Sequence, residues 1–398
     1  MIPSFISSNP RLALYALCAV AASGFGQTFF VSIMGEELRQ AFSLSHTAYG
    51  SLYSTATLIS AMLLLRLGSL ADTWSLPRVT SLAVLALAVG CLCIAQATSA
   101  LFLALGFVLI RFGGQGYMAH MGMTTAARYF PANRGSAVAL AAFGFPLAEA
   151  LLPGGAALSI EHLGWRWAWL AAAVILLAVV WPLLAFLSRQ TPAPAQDTNI
   201  SERHEGRLSF TRKQAMRDPG FYLILPAAIS TPFVVTALFF HQSAIGHIQG
   251  WSLSVLAAAF SGYALGHLFS LSIAGPVIDR LGAGRVLPLA LCPLMGSLLV
   301  LAAGHSPWAA WGYMILLGIT QGFASTAAGA VWAERYGVLH LGAIRSLVQA
   351  IMVVSTAIAP VLFGFLLDLH ISLPALSAAT ATGVLGAACL ALLATNSK

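Results

Sequence analysis

The strongest constraint in this sequence is an internal repeat with a spacing of 207 residues. The segment Gly68-Ser-Leu-Ala-Asp72 is matched by Gly275-Pro-Val-Ile-Asp279, and each lies where one long apolar run ends and the next begins. The same offset relates further identities, namely Arg78 and Arg285, Arg128-Tyr129 and Arg335-Tyr336, Gly135 and Gly342, and Pro153 and Pro360. Chance does not readily supply several identities in one register, so the sequence predicts two copies of one half. A membrane protein with two parallel halves is most often a solute carrier.

The composition places the chain in a lipid bilayer. Of 398 residues, 59% are hydrophobic and 8% are charged, whereas a soluble domain carries about 25% charged residues. The five cysteines are odd in number, lie within apolar runs and match no spacing of a metal site or disulfide framework. They are interpreted as small packing residues, and no cofactor is expected.

Twelve segments are long and apolar enough to be membrane-spanning helices of about 20 residues. The sequence places them near residues 11–34, 47–71, 78–97, 101–124, 135–159, 166–187, 220–245, 253–276, 284–303, 308–329, 345–367 and 373–394. The first run exceeds the apolar region of a signal peptide, so a cleavable signal is not expected.

The charge distribution predicts the orientation. Alternating the sides of the spans puts sixteen of the nineteen Lys and Arg residues on one side, leaving Arg39 and Arg166 opposite and Arg111 within a span. This positive-inside bias predicts that both termini are cytoplasmic in the inner membrane of a bacterium. The net charge of +7 is therefore interpreted as a sign of topology and not of nucleic-acid binding.

The stretch from Ser188 to Asp218 is too polar to form a core, since its 31 residues hold ten of the 31 charged residues. It is predicted to be a cytoplasmic linker between a six-helix half at 1–187 and another at 219–398. Within it, the segment Thr211–Arg217 is expected to form a short surface helix that ends before Pro219.

The loop signatures resemble that of the major facilitator superfamily, G-x-x-x-D-(R/K)-x-G-x-(R/K)-(R/K), which follows the second helix and is echoed after the eighth. The second copy matches at Gly275, Asp279, Arg280, Gly282 and Arg285, whereas the first has Thr73 and Ser75 at positions where a base and Gly are usual. Further resemblances are Arg111-Phe-Gly-Gly-Gln-Gly116 in the fourth helix and Gly164-Trp-Arg-Trp167 entering the sixth. The segments Glu334–Gly337 and Gly342–Arg345 resemble bacterial permeases related to monocarboxylate porters.

The resemblance implies an all-α integral membrane protein with twelve transmembrane helices in two pseudo-symmetric six-helix bundles. It also implies a monomer that exposes one central site alternately to the two sides of the membrane. The loop residues are then candidates for a gate, because Asp and Arg at helix ends can pair or cap an opposing helix in one state only. The alternative is that these charges merely end helices at the interface. The gating candidates are Gly68, Asp72, Arg78, Arg128, Gly275, Asp279, Arg280, Arg285 and Arg335.

Two charges lie well within predicted spans, Arg111 and Glu149. A charge inside a bilayer costs several kcal/mol and is usually functional or paired. Counting along the helices places Arg111 about 14 Å and Glu149 about 9 Å from the outer surface, so an ion pair between them is feasible. In the functional interpretation Arg111 binds an anionic substrate and Glu149 carries a proton. In the structural interpretation they form a fixed bridge between two helices.

Other polar residues within spans are weaker candidates for substrate binding. Gln115 lies one turn from Arg111, and Gln321 occupies the equivalent place in the other half. His267 ranks next, because it is near mid-membrane and histidine titrates near physiological pH. The remaining candidates are Gln27, Tyr53, His120, His241, Gln242 and Gln349, each of which could instead bond a neighbouring helix.

The sequence thus favours a secondary transporter of a small organic anion, coupled to protons. The alternative is efflux of amphipathic drugs or metabolites by proton antiport. ATP as the energy source is disfavoured, because neither of the two lysines follows a glycine as a P-loop requires. An enzyme is disfavoured by the lack of a catalytic motif, and a receptor by the lack of a large soluble region.

Overall fold

The computed structural model describes residues 9–68, 70–189 and 210–396, and within them the regular structure is helical. Twelve helices in this part of the chain are long and apolar enough to cross a membrane. We number them α1 to α12: Pro10–Ile33, His46–Leu67, Leu76–Ala95, Ala100–Tyr129, Arg134–Leu163, Trp165–Ser188, Pro219–Phe240, Leu253–Leu281, Ala283–Ala303, Pro307–Tyr336, Leu341–Asp368 and Leu373–Ala394. The prediction of twelve spanning helices is confirmed.

The ends of several helices differ from the prediction. Helices α4 and α10 run on to Tyr129 and Tyr336, beyond the predicted ends near 124 and 329. Hydropathy reports the apolar part of a helix, whereas the backbone stays helical through the polar turns that follow it. Helix α7 ends at Phe240, because the chain turns at His241 and continues as the separate helix Gln242–Gln249.

Helix α1 is interrupted near its middle. Its first part, Pro10–Ala22, is followed by a 3-10 turn at Ser23–Gly26, and Gln27 is extended with φ −85° and ψ 158° before Thr28–Ile33 resumes the helix. In a membrane, such irregular backbone is tolerated where protein buries it or where it lines a cavity. Ser23, Gly24, Phe25 and Gly26 are all buried.

The interruption is where α1 meets α4 and α5 at close range. A Cβ on Gly114 would lie 2.6 Å from Gly26 Cα, and one on Gly24 would lie 2.7 Å from Ala148 Cβ. Real side chains do not tolerate such distances, so glycine is required at the crossing of α1 and α4. This close packing brings the segments of α4 and α5 that carry Arg111 and Glu149 against the same break in α1.

The chain divides into two compact units, Met1–Thr198 and Asn199–Lys398, each containing six of the spanning helices. Most of the predicted linker lies outside the described residues. Its described end contains the short helix Arg212–Ala215, which begins with Thr211 as a capping box and ends before Pro219. In the second unit α8 and α10 pack through glycines, since a Cβ on Gly266 would lie 2.5 Å from the Ile315 carbonyl oxygen.

Candidate solute-binding site

Arg111 is buried, with 2% of its surface exposed, and three helices surround its guanidinium. Its Nε donates to Thr57 Oγ1 of α2 at 3.2 Å, and its Nη1 donates to the Gly26 carbonyl oxygen of α1 at 3.3 Å. The guanidinium carbon lies 5.0 Å from the centre of the Tyr53 ring, within range of a cation–π contact. The charge is therefore held by neutral groups.

The helix break explains why the Gly26 carbonyl can accept from Arg111. In an unbroken helix this oxygen would accept from the N–H of Phe30, four residues later. Here the Phe30 N–H donates to the Gln27 carbonyl at 3.2 Å instead. The interruption thus supplies a backbone acceptor in the middle of a span.

Tyr53 and Thr57 of α2 link the Arg111 guanidinium to the part of α1 that follows the break. Thr57 Oγ1 donates to the Tyr53 carbonyl at 3.0 Å, so it is oriented to accept from Arg111. The Tyr53 hydroxyl is 3.0 Å from Thr28 Oγ1, where α1 resumes after the break. A network of short polar contacts therefore fixes the guanidinium relative to α1, α2 and α4.

Glu149 is also buried, with 5% of its surface exposed, and it follows directly on Ala148, which packs on Gly24. Counting from the helix ends, Arg111 lies about 16 Å from the Ala100 end of α4, and Glu149 about 21 Å from the Leu163 end of α5. Both are near mid-helix. The hydrogen bonds that the structure gives Arg111 run to Thr57 and Gly26, and not to the Glu149 carboxylate with which the sequence allows an ion pair.

The other candidates in the first half are placed differently. Gln27 is half-buried in the break itself, whereas Gln115 and His120 are exposed, and His120 Nε2 is 3.4 Å from Thr124 Oγ1. Gln115 does not share the buried environment of Arg111. The reason is that residues Arg111–Met118 form a π-helix, whose i→i+5 bonds remove the i+4 residue from its position above residue i.

In the second half, the buried polar candidates bond other helices. His241 Nε2 is 2.8 Å from the Pro360 carbonyl oxygen of α11. The Gln242 amide donates to the hydroxyl of Tyr313, whose ring stacks on Trp251 at 5.8 Å. His267 is buried beside Tyr263, while Gln321 is half-buried and Gln349 is exposed. These contacts place His241 and Gln242 between helices, as the structural alternative predicts for such residues.

At the second loop signature, a carboxylate from the end of α10 caps the beginning of α9. Gly282 has φ +83°, a conformation that favours glycine, and it forms the turn between α8 and α9. The Glu334 carboxylate accepts from the Ala283 N–H at 2.6 Å, at the first turn of α9. Asp279, Arg280 and Arg285 are exposed. A Cβ on Gly275 would meet no described atom within 4 Å, so close helix approach is not its role in this conformation.

Arg335 takes part in a second cluster, which joins the beginning of α7 to the ends of α10 and α12. Its Nε and Nη2 donate to the two Asp218 carboxylate oxygens at 2.8 and 3.4 Å, and its Nη1 donates to the Ala394 carbonyl at 3.1 Å. The Tyr336 hydroxyl and the Gly220 N–H also donate to Asp218. The hydrogen bonds from Arg335 lower the pKa of the Asp218 carboxyl below its usual range.

The first half has a different residue at the corresponding cap. Asn9 precedes Pro10 and caps α1, just as Asp218 precedes Pro219 and caps α7. The counterpart of Arg335, Arg128, is half-buried at the end of α4. Arg78 is exposed, Gly68 ends α2, and the Asp72 side chain lies outside the described residues.

Comparison with known proteins decides the family. Residues 16–258 and 228–398 match the sequence profile of the Major Facilitator Superfamily. The chain belongs to this superfamily. No curated protein matches it.

Several solved structures have a fold similar to that of this chain. A bacterial homologue of the human lysosomal transporter Spinster, in an inward-facing and occupied conformation, has a TM-score of 0.68, 16% identity and 96% of each chain covered. The nucleoside transporter NupG has a TM-score of 0.69 and 14% identity, with 98% of this chain and 99% of that chain covered. The family and the fold identify a multi-pass membrane transporter and not an enzyme.

Four site residues could not be identified by sequence reasoning, namely Thr28, Thr57, Asp218 and Glu334. Thr57 bonds Arg111 across 54 residues of sequence, and Asp218 bonds Arg335 across 117. No local pattern marks such partners. One signal was present for Asp218, since Asp before Pro at a helix start is a typical cap.

Proposed function

We propose that this transporter carries a small organic anion, a carboxylate, in symport with protons by alternating access. The observation that carries the proposal is the environment of Arg111, a buried guanidinium whose two hydrogen-bond acceptors are both neutral. Burying a cation without a counter-charge is costly, and an arriving carboxylate offsets that cost. The planar guanidinium can meet a carboxylate through two parallel bonds.

Glu149 is proposed to carry the coupling proton. It is buried near mid-helix, and the preceding residue, Ala148, packs on Gly24 in the same break of α1 whose Gly26 carbonyl accepts from Arg111. Protonation of Glu149 would favour simultaneous occupation by an anion, because the negative charges would otherwise repel each other. This ordering makes uptake depend on a proton gradient.

The gate is proposed to involve the loop charges, with Asp72 and Asp279 as its acidic members and Glu334 as the cap at α9.

The proposed location is the inner membrane of a bacterium, with both termini cytoplasmic and the protein acting as a monomer. The arginine excess at one end of the helices supports this orientation.

The first experiment is a thermal-shift screen of the purified protein against carboxylates, nucleosides, amino acids, sugars and hydrophobic cations, followed by uptake into proteoliposomes. We expect stabilisation by a carboxylate, and Arg111→Gln should abolish it while the protein still folds. Arg111→Lys should restore it only in part, because an ammonium lacks the planar fork.

Arg166→Gln is the matched control. Arg166 donates to the Ala95 and Ala97 carbonyls at 2.9 Å near a helix end, so its loss should lower stability without removing carboxylate binding. Stabilisation by hydrophobic cations alone would instead favour the efflux alternative. Carboxylate binding that survives Arg111→Gln would refute the assignment of Arg111.

A further inference from the structure

Three arginines stand at one end of three neighbouring helices in the first bundle: Arg11 on α1, Arg78 on α3 and Arg189 at the end of α6. All three are exposed. We call this group the arginine corner. We propose that it binds the headgroup of an anionic phospholipid.

Cross-helix contacts place the three side chains at one level. The Tyr15 hydroxyl is 2.6 Å from Thr80 Oγ1 and joins α1 to α3. The Trp181 indole donates to Ser81 Oγ at 2.9 Å and joins α6 to α3. The Arg11 guanidinium carbon lies 5.4 Å from the centre of the Phe186 ring and joins α1 to α6.

Each arginine is about one turn or less from one of these contacts. Arg11 precedes Tyr15 by four residues, about 6 Å along the helix. Arg78 precedes Ser81 by three residues, and Arg189 follows Phe186 by three, about 4.5 Å in each case. Arginine side chains span such distances, so the three guanidinium groups can reach one phosphate.

The charges that the structure describes at this corner fit an anion. The acidic side chains that the structure describes in the first bundle are Glu36, Glu37, Glu149 and Glu161, which lie mid-helix or at the opposite end. Within the described residues, neither Arg78 nor Arg189 forms an ion pair with them. Arginine binds phosphate oxygens through two bonds at once.

The neighbouring surface favours a lipid as the source of the phosphate. Val179, Leu183 and Phe186 are 57%, 40% and 52% exposed, and their spacing puts them on one face of α6. This apolar strip leads directly to the corner, and Trp181 lies beside it. An acyl chain can lie along the strip while its headgroup meets the arginines, an arrangement that free phosphate cannot use.

The second bundle lacks such a corner at the corresponding positions. The 207-residue offset relates Arg78 to Arg285 and Arg189 to Asn396, and Gly220 stands two residues after the Asp218 cap of α7, as Arg11 stands two residues after the Asn9 cap of α1. The position that corresponds to Arg11 by its helix cap is thus a glycine in the second bundle, beside an Asp218 that is paired with Arg335. The site is therefore expected on one bundle only.

Native mass spectrometry of the delipidated full-length protein tests the proposal, with phosphatidylglycerol and phosphatidylcholine of equal chain length as probes. We expect one tightly bound phosphatidylglycerol, and Arg11→Gln/Arg189→Gln should weaken its binding about tenfold or more. The control is Arg212→Gln/Arg217→Gln, which removes two charges from the segment that precedes α7 and should leave this binding unchanged. Arg11→Lys/Arg189→Lys keeps the charge and should retain more binding than the Gln pair.

Three results would overturn the proposal. Equal affinity for phosphatidylcholine would show that no charge is recognised. Equal loss in the control would show a general effect of net charge. Full competition by inorganic phosphate or glycerol phosphate would show a site for free phosphate and not for lipid. Melting of each variant in lipid-free detergent checks that it is folded.

Discussion

At the scale of single residues, Arg111 and Glu149 are both buried, and the hydrogen bonds of Arg111 run to Thr57 and Gly26 and not to Glu149. A fixed bridge between α4 and α5 would require the guanidinium to face the carboxylate. It faces Thr57, Gly26 and the Tyr53 ring instead. The hydrogen bonds of Arg111 therefore do not involve the Glu149 carboxylate, and a change in the protonation of Glu149 leaves them intact.

Glu149→Gln is therefore expected to separate binding from coupling. The variant should exchange substrate across proteoliposome membranes but fail to accumulate it against its gradient when a pH difference is imposed. The amide keeps the shape of a protonated carboxyl and cannot release a proton. Counterflow and gradient-driven uptake measure the two activities on the same preparation.

The double variant Arg111→Gln/Glu149→Gln tests the structural alternative. If the two charges only balance each other electrostatically, each single change should lower stability and the double change should restore both stability and transport. If they bind substrate and proton, the double variant should fold and remain inactive. A transport-competent double variant would contradict the proposed roles.

Asp218 carries a prediction about stability and pH. Asp218→Asn keeps the helix cap but removes the charge that Arg335 contacts. The pair is partly exposed, so we expect a loss of about 1 kcal/mol at neutral pH. Because the folded pKa is lowered, the stabilisation is present above the unfolded value of about 3.9 and is lost as pH falls through the folded pKa.

Melting temperatures in detergent at pH 7 and across the acidic range measure this effect. The difference between the native protein and Asp218→Asn should be largest at neutral pH and should shrink below about pH 4. A pH-independent difference would mean that the carboxylate charge is not what stabilises the cluster.

At the scale of helices, the crossing of α1 and α4 depends on the absence of side chains. Gly114→Ala would push a methyl group against Gly26, where its Cβ would be 2.6 Å from a backbone carbon. Overpacking of this kind costs about 1–3 kcal/mol. Gly154→Ala in α5 is the control, because its Cβ would meet no described atom within 4 Å.

We expect Gly114→Ala to lower the melting temperature and to weaken substrate binding, since the displaced α1 carries the Gly26 carbonyl away from Arg111. Gly154→Ala should change neither. Equal effects of the two substitutions would show that the loss does not come from the close approach of α1 and α4.

The helices also show what sequence could and could not predict. The apolar runs predicted all twelve spans, because burial in lipid requires about 20 apolar residues whatever the tertiary contacts. The break at Ser23–Gly26 and the π-helix at Arg111–Met118 were not predicted. Both lie within apolar runs rich in glycine, and both arise where two backbones approach, which depends on contacts between distant segments.

Of the residues in the candidate site, the sequence predicted the charged ones most clearly. Arg111 and Glu149 stand out because a charge in a span is rare, whereas Thr28 and Thr57 are ordinary residues that become important through position. The prediction that Gln115 shares the surroundings of Arg111 assumed an α-helical register, and the π-helix changes that register.

At the scale of the whole molecule, the positions of the arginines predict the orientation. By the sequence-based assignment of spans most lie on one side and Arg111 lies within α4, and the two on the opposite side, Arg39 and Arg166, are bonded by protein groups. Arg39 pairs with Glu36 at 2.6 Å, and Arg166 donates to two backbone carbonyls with its guanidinium 4.2 Å from the Trp165 ring. Because protein groups already bond Arg39 and Arg166, we expect these two charges to oppose translocation little. The bias of the other arginines then still predicts the orientation.

Single cysteines introduced into a cysteine-free protein at Thr211 and at Ser306 test this orientation, since both positions are exposed. Thr211 precedes α7 and Ser306 precedes α10, so three spans, α7 to α9, separate them. An odd number of crossings puts them on opposite sides. An impermeant thiol reagent should label Ser306→Cys in intact cells and Thr211→Cys only after the cells are opened. The reverse pattern would invert the orientation and place the arginine-rich end outside, whereas labelling of both sites in intact cells would contradict the twelve-span topology itself.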